Sequence, residues 1–135
     1  MSQVPHDKLV DRKLISSARY ALSFMWIFTA LTSVFFAPQV GYDILSRANV
    51  SGPFADIAIY GGAIIDLLLG FWLLSARTLR LCCLLQITLI LSYTLLLSLI
   101  DASFWLHPFG PVTKNVPVLV LIVFVYQSAA PLKRQ

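Results

Sequence analysis

Four long apolar segments alternate with shorter polar connections along the chain. They cover residues 18–37, 57–76, 79–100 and 116–130, each close to the length of a membrane span. At a rise of about 1.5 Å per residue, some 20 residues cross the roughly 30 Å of hydrocarbon in a bilayer. The pattern therefore predicts an all-α integral membrane protein with four transmembrane helices, organised as a single domain over residues 1–135.

The connections between these segments differ in length and in turn residues. Residues 77–80 form a tight basic turn, which predicts that the second and third segments pack as antiparallel neighbours. The 38–56 connection has Pro and Gly breakers, and its middle, 42–45, is predicted to form a short interfacial helix. The 101–115 connection is dense in polar and turn-forming residues. Together these connections predict an antiparallel four-helix bundle.

Composition agrees with a membrane location. Hydrophobic residues make up 59% of the chain and charged residues 12%, and the mean hydropathy is +0.83. Soluble domains carry about 25% charged residues, so a soluble fold of this size is excluded. The first sixteen residues are too polar for a signal peptide, and the first apolar segment is therefore expected to be a retained span.

The placement of Lys and Arg predicts the orientation. Four spans put both termini on one side of the membrane, together with the 77–80 turn. That side would hold Lys8, Arg12, Lys13, Arg19, Arg77, Arg80, Lys133 and Arg134, and the other side Arg47 and Lys114. Cytoplasmic loops carry the excess of basic residues, so we expect cytoplasmic termini in a bacterial inner membrane. The net charge of +4 is explained by this orientation and not by nucleic-acid binding.

The two cysteines, Cys82 and Cys83, are adjacent in sequence. A disulfide between neighbours would strain the backbone, so the pair predicts no structural cross-link. No CxxC motif or His/Cys cluster with metal-ligand spacing is present in the sequence, so no metal site is predicted. Packing or palmitoylation accounts for these residues better than a redox role.

Asp66 is the sharpest functional candidate within the spans. It lies near the middle of the second segment, with Gly62 and Gly70 one turn away on the same helical face. A carboxylate without a partner at that depth costs several kcal/mol, so it must be protonated or paired. Proton handling, a hydrogen bond to a polar headgroup and a structural partnership all remain open.

Polar residues on the first and third segments could meet Asp66 at the centre of the bundle. Four-helix bundles build ligand sites from such inward faces. The further candidates for ligand contact are Arg19, Trp26, Gln86 and Tyr93. Each has a structural alternative: Gln86 could bond another helix, Arg19 could extend to lipid phosphates, Trp26 could pack in the core, and Tyr93 could belong to the interfacial aromatic belt.

The 101–115 connection holds the outer-loop motif. Its candidate residues are Trp105, His107, Pro108, Phe109, Gly110, Lys114 and Asn115. Asn115 is predicted to cap the fourth helix, with Pro117 in the first turn. Lys114 would be stabilised by lipid phosphate, by Asp101 or by a bound anion. The motif is either a rigid cap at the outer surface or a lid over the central site, with His107 titrating near neutrality.

The chain resembles the DoxX-like membrane proteins over about residues 15–128. The resemblance rests on residues 19–26, on Gly62 through Gly70, on 77–80 with Gln86, and above all on the string 105–117, WLHPFGPVTKNVP. The resemblance implies a four-helix membrane bundle. It also implies a loose association of the protein with quinone- or thiol-linked redox chemistry. Such relatives tend to carry Glu where this chain has Asp66. Some are fused to a short-chain dehydrogenase/epimerase-type domain, which this chain lacks, so a separate cytosolic oxidoreductase would be its partner.

The leading hypothesis is a binding module that holds a lipophilic ligand, a quinone or another lipid, between its helices. It would serve as the membrane subunit of a redox system. The sequence carries no cofactor motif of its own, which argues against an enzyme that acts alone. The alternatives are a structural or chaperone-like partner of another membrane protein and, less favoured, a small transporter, which would require a homo-oligomer.

Overall fold

The structure is a computed structural model that describes residues 6–75, 77–107 and 111–129. Over these residues its regular secondary structure is entirely helical. The helices are α1 (His6–Leu31), α2 (Pro38–Arg47), α3 (Pro53–Leu74), α4 (Leu79–Ile100) and α5 (Asn115–Ser128), with a π-helical turn over Thr32–Phe36 and a 3-10 turn over Ala102–Trp105. The all-helical prediction is therefore confirmed for the described part of the chain.

Three of these helical segments are long and apolar enough to cross a membrane. They are Val10–Phe36, Pro53–Leu74 and Leu79–Ile100. The fourth predicted span forms a shorter apolar helix of 14 residues, Asn115–Ser128, which is about 21 Å long. Helix α1 begins at His6, well before the predicted start at residue 18, because its polar first turns continue the same helix, and α3 begins at Pro53, shortly before the predicted start at residue 57.

Prolines and one glycine set the boundaries around α2. Pro38 and Pro53 occupy the first turns of α2 and α3, where the missing N–H has no partner to lose. Ala37, which precedes Pro38, leaves the helical region with φ −142° and ψ 49°. Gly52 adopts φ 62°, a left-handed conformation that a side chain would strain. The short helix predicted within 38–56 is thus present, and it spans Pro38–Arg47.

Helices α1 and α3 pack antiparallel, and polar side chains from the middle of α1 bond to the last turns of α3. The Arg19 guanidinium donates to the carbonyl oxygen of Leu73 from Nη2 at 2.8 Å and from Nε at 3.1 Å, and it also reaches Leu74 at 3.2 Å. The Ser23 hydroxyl donates to the Gly70 carbonyl at 2.7 Å. The Arg19 bonds satisfy carbonyls that the end of α3 leaves without intrahelical partners, and the Ser23 bond adds a second acceptor role to the Gly70 carbonyl.

Gly70 allows this close contact. A Cβ at this position would lie 2.6 Å from Ile27 Cγ1 and 3.2 Å from the backbone nitrogen of Ile27 and the carbonyl oxygen of Ser23. Because backbone atoms stand on the α1 side, the two helices would have to separate to admit any side chain. The absence of a side chain at residue 70 thus admits the backbone of α1.

Helices α4 and α5 are also antiparallel. The Asn115 side-chain amide donates to the Thr94 hydroxyl at 2.8 Å, near the end of α4. At the start of α4, the Arg80 guanidinium lies 5.1 Å from the centre of the Tyr126 ring. Helix α5 therefore begins beside Thr94, about 9 Å before α4 ends, and it runs back toward the start of α4.

The connection between α4 and α5 corrects the capping prediction and removes one of the three partners considered for Lys114. Asn115 does not cap α5 with its side chain: it is the first helical residue, and its amide binds Thr94 instead. Asp101 does not neutralise Lys114, because it forms an ion pair with Arg47 at 2.8 Å. Pro117 lies in the first turn of α5, as predicted.

The hydrophobic core lies among α1, α3, α4 and α5. Its largest fully buried apolar side chains are Leu22, Leu73, Cys82, Cys83, Val112, Ile122 and Val125. Both cysteines are free thiols. Packing in the core is the role that the structure supports for them.

Candidate functional site

A cavity of about 460 Å³ opens in the half of the molecule that holds α2. Its walls come from the end of α1 with its π-helical turn, from α2 and from α3, and single residues of α4 and of the 101–115 connection complete it. The lining residues are Thr29, Thr32, Ser33, Ala37, Val40, Gly41, Ile44, Ala58, Ile59, Gly62, Ala63, Asp66, Tyr93 and Pro111. Most of them are apolar, and the polar ones gather on α1, α3 and α4.

Asp66 brings a carboxyl group to this wall. It is 7% exposed, and its Oδ1 atom is buried without a hydrogen-bond partner in the described part of the chain. Leaving a buried polar atom without a partner costs about 1–3 kcal/mol, and more for a charged group. A buried polar atom without a partner calls for an explanation, and a bound water, ion or ligand is one.

Tyr93 brings a phenol to the same cavity from α4. Its hydroxyl oxygen lies 3.0 Å from the place where a Cβ on Gly62 would stand. Gly62 precedes Asp66 by one turn, so the two residues share a face of α3. The absence of a side chain at residue 62 therefore makes room for the Tyr93 hydroxyl near the carboxyl group.

Three hydroxyl residues at the end of α1 and in the π-helical turn that follows it complete the polar part of the wall: Thr29, Thr32 and Ser33. The Thr32 hydroxyl bonds to the carbonyl oxygens of Phe28 at 2.8 Å and Thr29 at 3.0 Å. The Ser33 hydroxyl donates to the Thr29 carbonyl at 2.8 Å. The hydroxyl protons of Thr32 and Ser33 are therefore bonded to carbonyl oxygens of α1. Toward the cavity, the two hydroxyl oxygens can act only as hydrogen-bond acceptors.

The sequence pattern did not indicate most of the wall that α1 and α2 form. The structure has a π-helical turn at this point, in which the Ala37 N–H donates to the Thr32 carbonyl oxygen at 2.8 Å. Such turns are frequent at functional sites. The hydroxyl-rich end of the first segment, followed directly by Pro38, is the sequence feature that could have indicated it.

Trp26 and Gln86 form a separate network outside the cavity. Trp26 Nε1 donates to Gln86 Oε1 at 2.7 Å, and Gln86 Nε2 donates to the Cys82 carbonyl at 3.3 Å. The Cys82 thiol in turn points to the Leu69 carbonyl at 3.9 Å. The chain of bonds links α1, α4 and α3 within the core. Of the five predicted ligand contacts, Asp66 and Tyr93 line the cavity, whereas Arg19, Trp26 and Gln86 bond to other protein groups.

The outer-loop motif folds back against the end of α4. Trp105 Nε1 donates to the Ser98 hydroxyl at 2.8 Å, and the Thr113 hydroxyl donates to the Trp105 carbonyl at 3.1 Å. Val112 is fully buried, and Pro111 reaches the cavity. Residues 108–110 (Pro108, Phe109 and Gly110) lie outside the described residues, and His107 and Lys114 are exposed.

Polar bonds tie α2 to both neighbours at the same end of the molecule. The Tyr42 hydroxyl donates to Asp56 Oδ1 at 2.6 Å, which raises the pKa of Tyr42 to about 12. Arg47 forms the ion pair with Asp101 and lies 5.8 Å from the centre of the Phe104 ring. Hydrogen bonds from Ser103, together with Arg47, lower the pKa of Asp101. These contacts hold α2 in place as one wall of the cavity.

Comparison with known proteins gives the family. The model of the DoxX-like family matches residues 23–123, a range that includes every residue lining the cavity and confirms the resemblance noted in the sequence. The comparisons with curated proteins and with solved structures gave no match. Together with three helical segments apolar enough to span a bilayer, the family match identifies a membrane protein. The chain belongs to the DoxX-like family.

Proposed function

We propose that the cavity beside Asp66 binds a lipophilic ligand with a polar group, a quinone or another lipid. The observation that carries the proposal is the buried Oδ1 atom of Asp66, which lacks a partner in a mostly apolar wall. The volume of about 460 Å³ falls within the roughly 300–1,000 Å³ of small-molecule sites. The polar group would meet Asp66 and Tyr93, and the apolar part would lie against α2 and α3.

In this proposal the chain is the membrane subunit of a redox system. The likeness to DoxX-like proteins supports this role, and the electron carrier would be a separate cytosolic oxidoreductase. The chain would hold and orient the lipophilic molecule, and the partner would carry out electron transfer. Recovery of a stoichiometric protein partner without any bound small molecule would instead favour a structural role.

Mass spectrometry of the purified protein tests the binding site. We expect organic extracts of the wild type to contain a lipid or quinone that Asp66→Asn loses by at least fivefold. Asp43→Asn is the matched control, because Asp43 is an exposed carboxylate bonded to Gln39 at 3.0 Å and lies outside the cavity. Equal ligand content in all three proteins, or no ligand in any of them, would contradict the proposal.

We also propose that α5 crosses the membrane, so that the bundle has four spans with both termini in the cytoplasm of a bacterial cell. Helix α5 runs antiparallel to α4 and begins about 9 Å before α4 ends. Its 14 residues are short for a span, and a bilayer can thin locally to match a short helix at modest energetic cost. The distribution of Lys and Arg supports this orientation.

Cysteine labelling in cells tests this topology. In a Cys82→Ala, Cys83→Ala background, we expect Ser51→Cys to react with an impermeant maleimide in intact cells. Arg77→Cys should react only after permeabilisation, because the two exposed residues lie at opposite ends of α3. A green fluorescent protein fused after Gln135 should fluoresce. A dark C-terminal fusion that is accessible from outside would show that α5 does not cross.

A further inference from the structure

The cavity beside Asp66 offers hydrogen-bond acceptors in excess of donors. Oδ1 of Asp66 is an acceptor without a partner whenever the carboxyl group is ionised. Thr32 and Ser33 have given their protons to carbonyls of α1, so their oxygens are acceptors too. The Thr29 and Tyr93 hydroxyls in the lining can donate as well as accept. An ionised Asp66 is nevertheless best completed by a ligand that brings a donor or positive charge.

None of the described residues that line the cavity is basic, so the described lining does not supply that charge. Arg19 binds carbonyls at the end of α3, Arg47 pairs with Asp101, and Arg80 stacks on Tyr126. Among the described residues that line the cavity, α1 and α2 contribute no titratable or charged side chain. Helix α4 contributes Tyr93, the 101–115 connection contributes Pro111, and α3 contributes Asp66 itself.

We infer that the ligand is an organic cation, a protonated or quaternary amine with apolar substituents, which places its nitrogen beside Asp66. The inference rests on the proposed function, since it names the ligand class of the same cavity. A carboxylate in a low-dielectric site attracts a cation more strongly than it would in water. An oxidised quinone brings only carbonyl acceptors, so it suits this wall less well. The apolar residues of α2 and α3 would hold the substituents.

Binding of a cation at Asp66 is coupled to the proton of its carboxyl group. If the group is protonated before binding, one proton leaves to solvent for each cation bound. The cation and the proton then compete for one carboxylate, and the affinity falls as the pH is lowered. Tyr93, the other titratable side chain in the described lining, is neutral throughout the acidic range and does not reverse this direction.

Equilibrium dialysis in neutral maltoside micelles tests the inference, with protein-free micelles as the blank. The probes are benzyltrimethylammonium and its uncharged carbon isostere neopentylbenzene, with a short-chain benzoquinone as a third ligand. We expect the wild type to bind the ammonium at least tenfold more tightly than the isostere. Asp66→Asn should remove that difference, Asp43→Asn should keep it, and lowering the pH should weaken binding of the ammonium to the wild type.

The outcomes separate the inference from the proposed function. If the isostere or the quinone binds the wild type as tightly as the ammonium, the cation inference is wrong and the lipophilic site stands. If no probe exceeds the blank and no extracted molecule depends on Asp66, both are wrong. Size-exclusion chromatography checks the fold of Asp66→Asn. If that variant fails to fold, two other measurements decide the cation inference. Asp66→Glu keeps the charge and should keep the preference for the ammonium, and the wild type should bind the ammonium more weakly as the pH is lowered.

Discussion

Replacing Gly70 with alanine is expected to destabilise the protein by about 1–3 kcal/mol, the usual range for overpacking a close contact. The new Cβ would lie 2.6 Å from Ile27 Cγ1 and 3.2 Å from two backbone atoms of α1. Ile27 could rotate away, but the backbone atoms move only if α1 and α3 separate. That separation would also lengthen the bond from Ser23 to the Gly70 carbonyl.

Gly61→Ala on the same helix is the matched control. A Cβ there meets no atom within 4 Å, so only helix propensity changes, and alanine is favoured by up to about 1 kcal/mol. Thermal or denaturant unfolding in detergent, followed by circular dichroism, should thus move in opposite directions for the two variants. A Gly70→Ala protein as stable as Gly61→Ala would show that α1 and α3 do not approach as closely as described.

Replacing Gln86 with leucine is expected to cost about 1–3 kcal/mol, the range for a buried donor left without a partner. Trp26 Nε1 donates to Gln86 Oε1 at 2.7 Å, and Gln86 is fully buried while Trp26 is 5% exposed. With leucine at residue 86, the indole N–H is enclosed among α1, α3 and α4, where water does not replace the lost acceptor. Unfolding of the detergent-solubilised variant measures the change.

A double-mutant cycle with Trp26→Phe separates the bond from the packing. Trp26→Phe removes the donor, so the double variant leaves no unpaired N–H and should lose less than the sum of the two single changes. Additive losses would contradict a direct bond. Mass spectrometry of the Gln86→Leu protein tests the ligand-contact hypothesis for Gln86. A purely structural residue would leave the ligand content of the purified protein unchanged.

The sequence predicted the helices well because lipid imposes a simple rule. Each backbone N–H and C=O inside a bilayer must be bonded within the chain, so a long apolar segment has little choice but a helix. The third segment, 79–100, therefore matches α4 without correction. The sequence did not predict the helix ends that lie at polar residues. Hydropathy indicates where a segment contacts lipid, and it does not indicate where the helical hydrogen bonds begin or end. Helix α1, which starts at His6, shows this difference.

The site was predicted in part, and for a clear reason. Asp66 stands out in the second apolar segment because placing an ionisable group inside a bilayer costs several kcal/mol of free energy. Nothing local tells whether such a group meets another side chain or a cavity. Gln86 and Asp66 look alike as polar residues within spans, yet Gln86 has bonded partners within the protein and Asp66 Oδ1 has none among the described residues.

The 101–115 connection shows the same limit. Its prolines and glycine predicted a turn before the last apolar helix, and the helix is present. The predicted cap by Asn115 was wrong, and Asp101, one of three partners considered for Lys114, pairs with Arg47 instead, because the connection folds back along α4 and α2 reaches over to it. Such contacts join residues far apart in sequence, and local turn chemistry carries no information about them.

By itself the sequence determined a helical membrane protein, its family likeness and the residue whose burial is most expensive. Composition and periodicity are enough for these, since they depend on how each segment meets lipid. Only the tertiary structure decided which polar residues bond to one another and which one faces a cavity. That choice depends on where the π-helical turn that follows α1 and the helix α2 lie against α3, and packing between distant segments sets both.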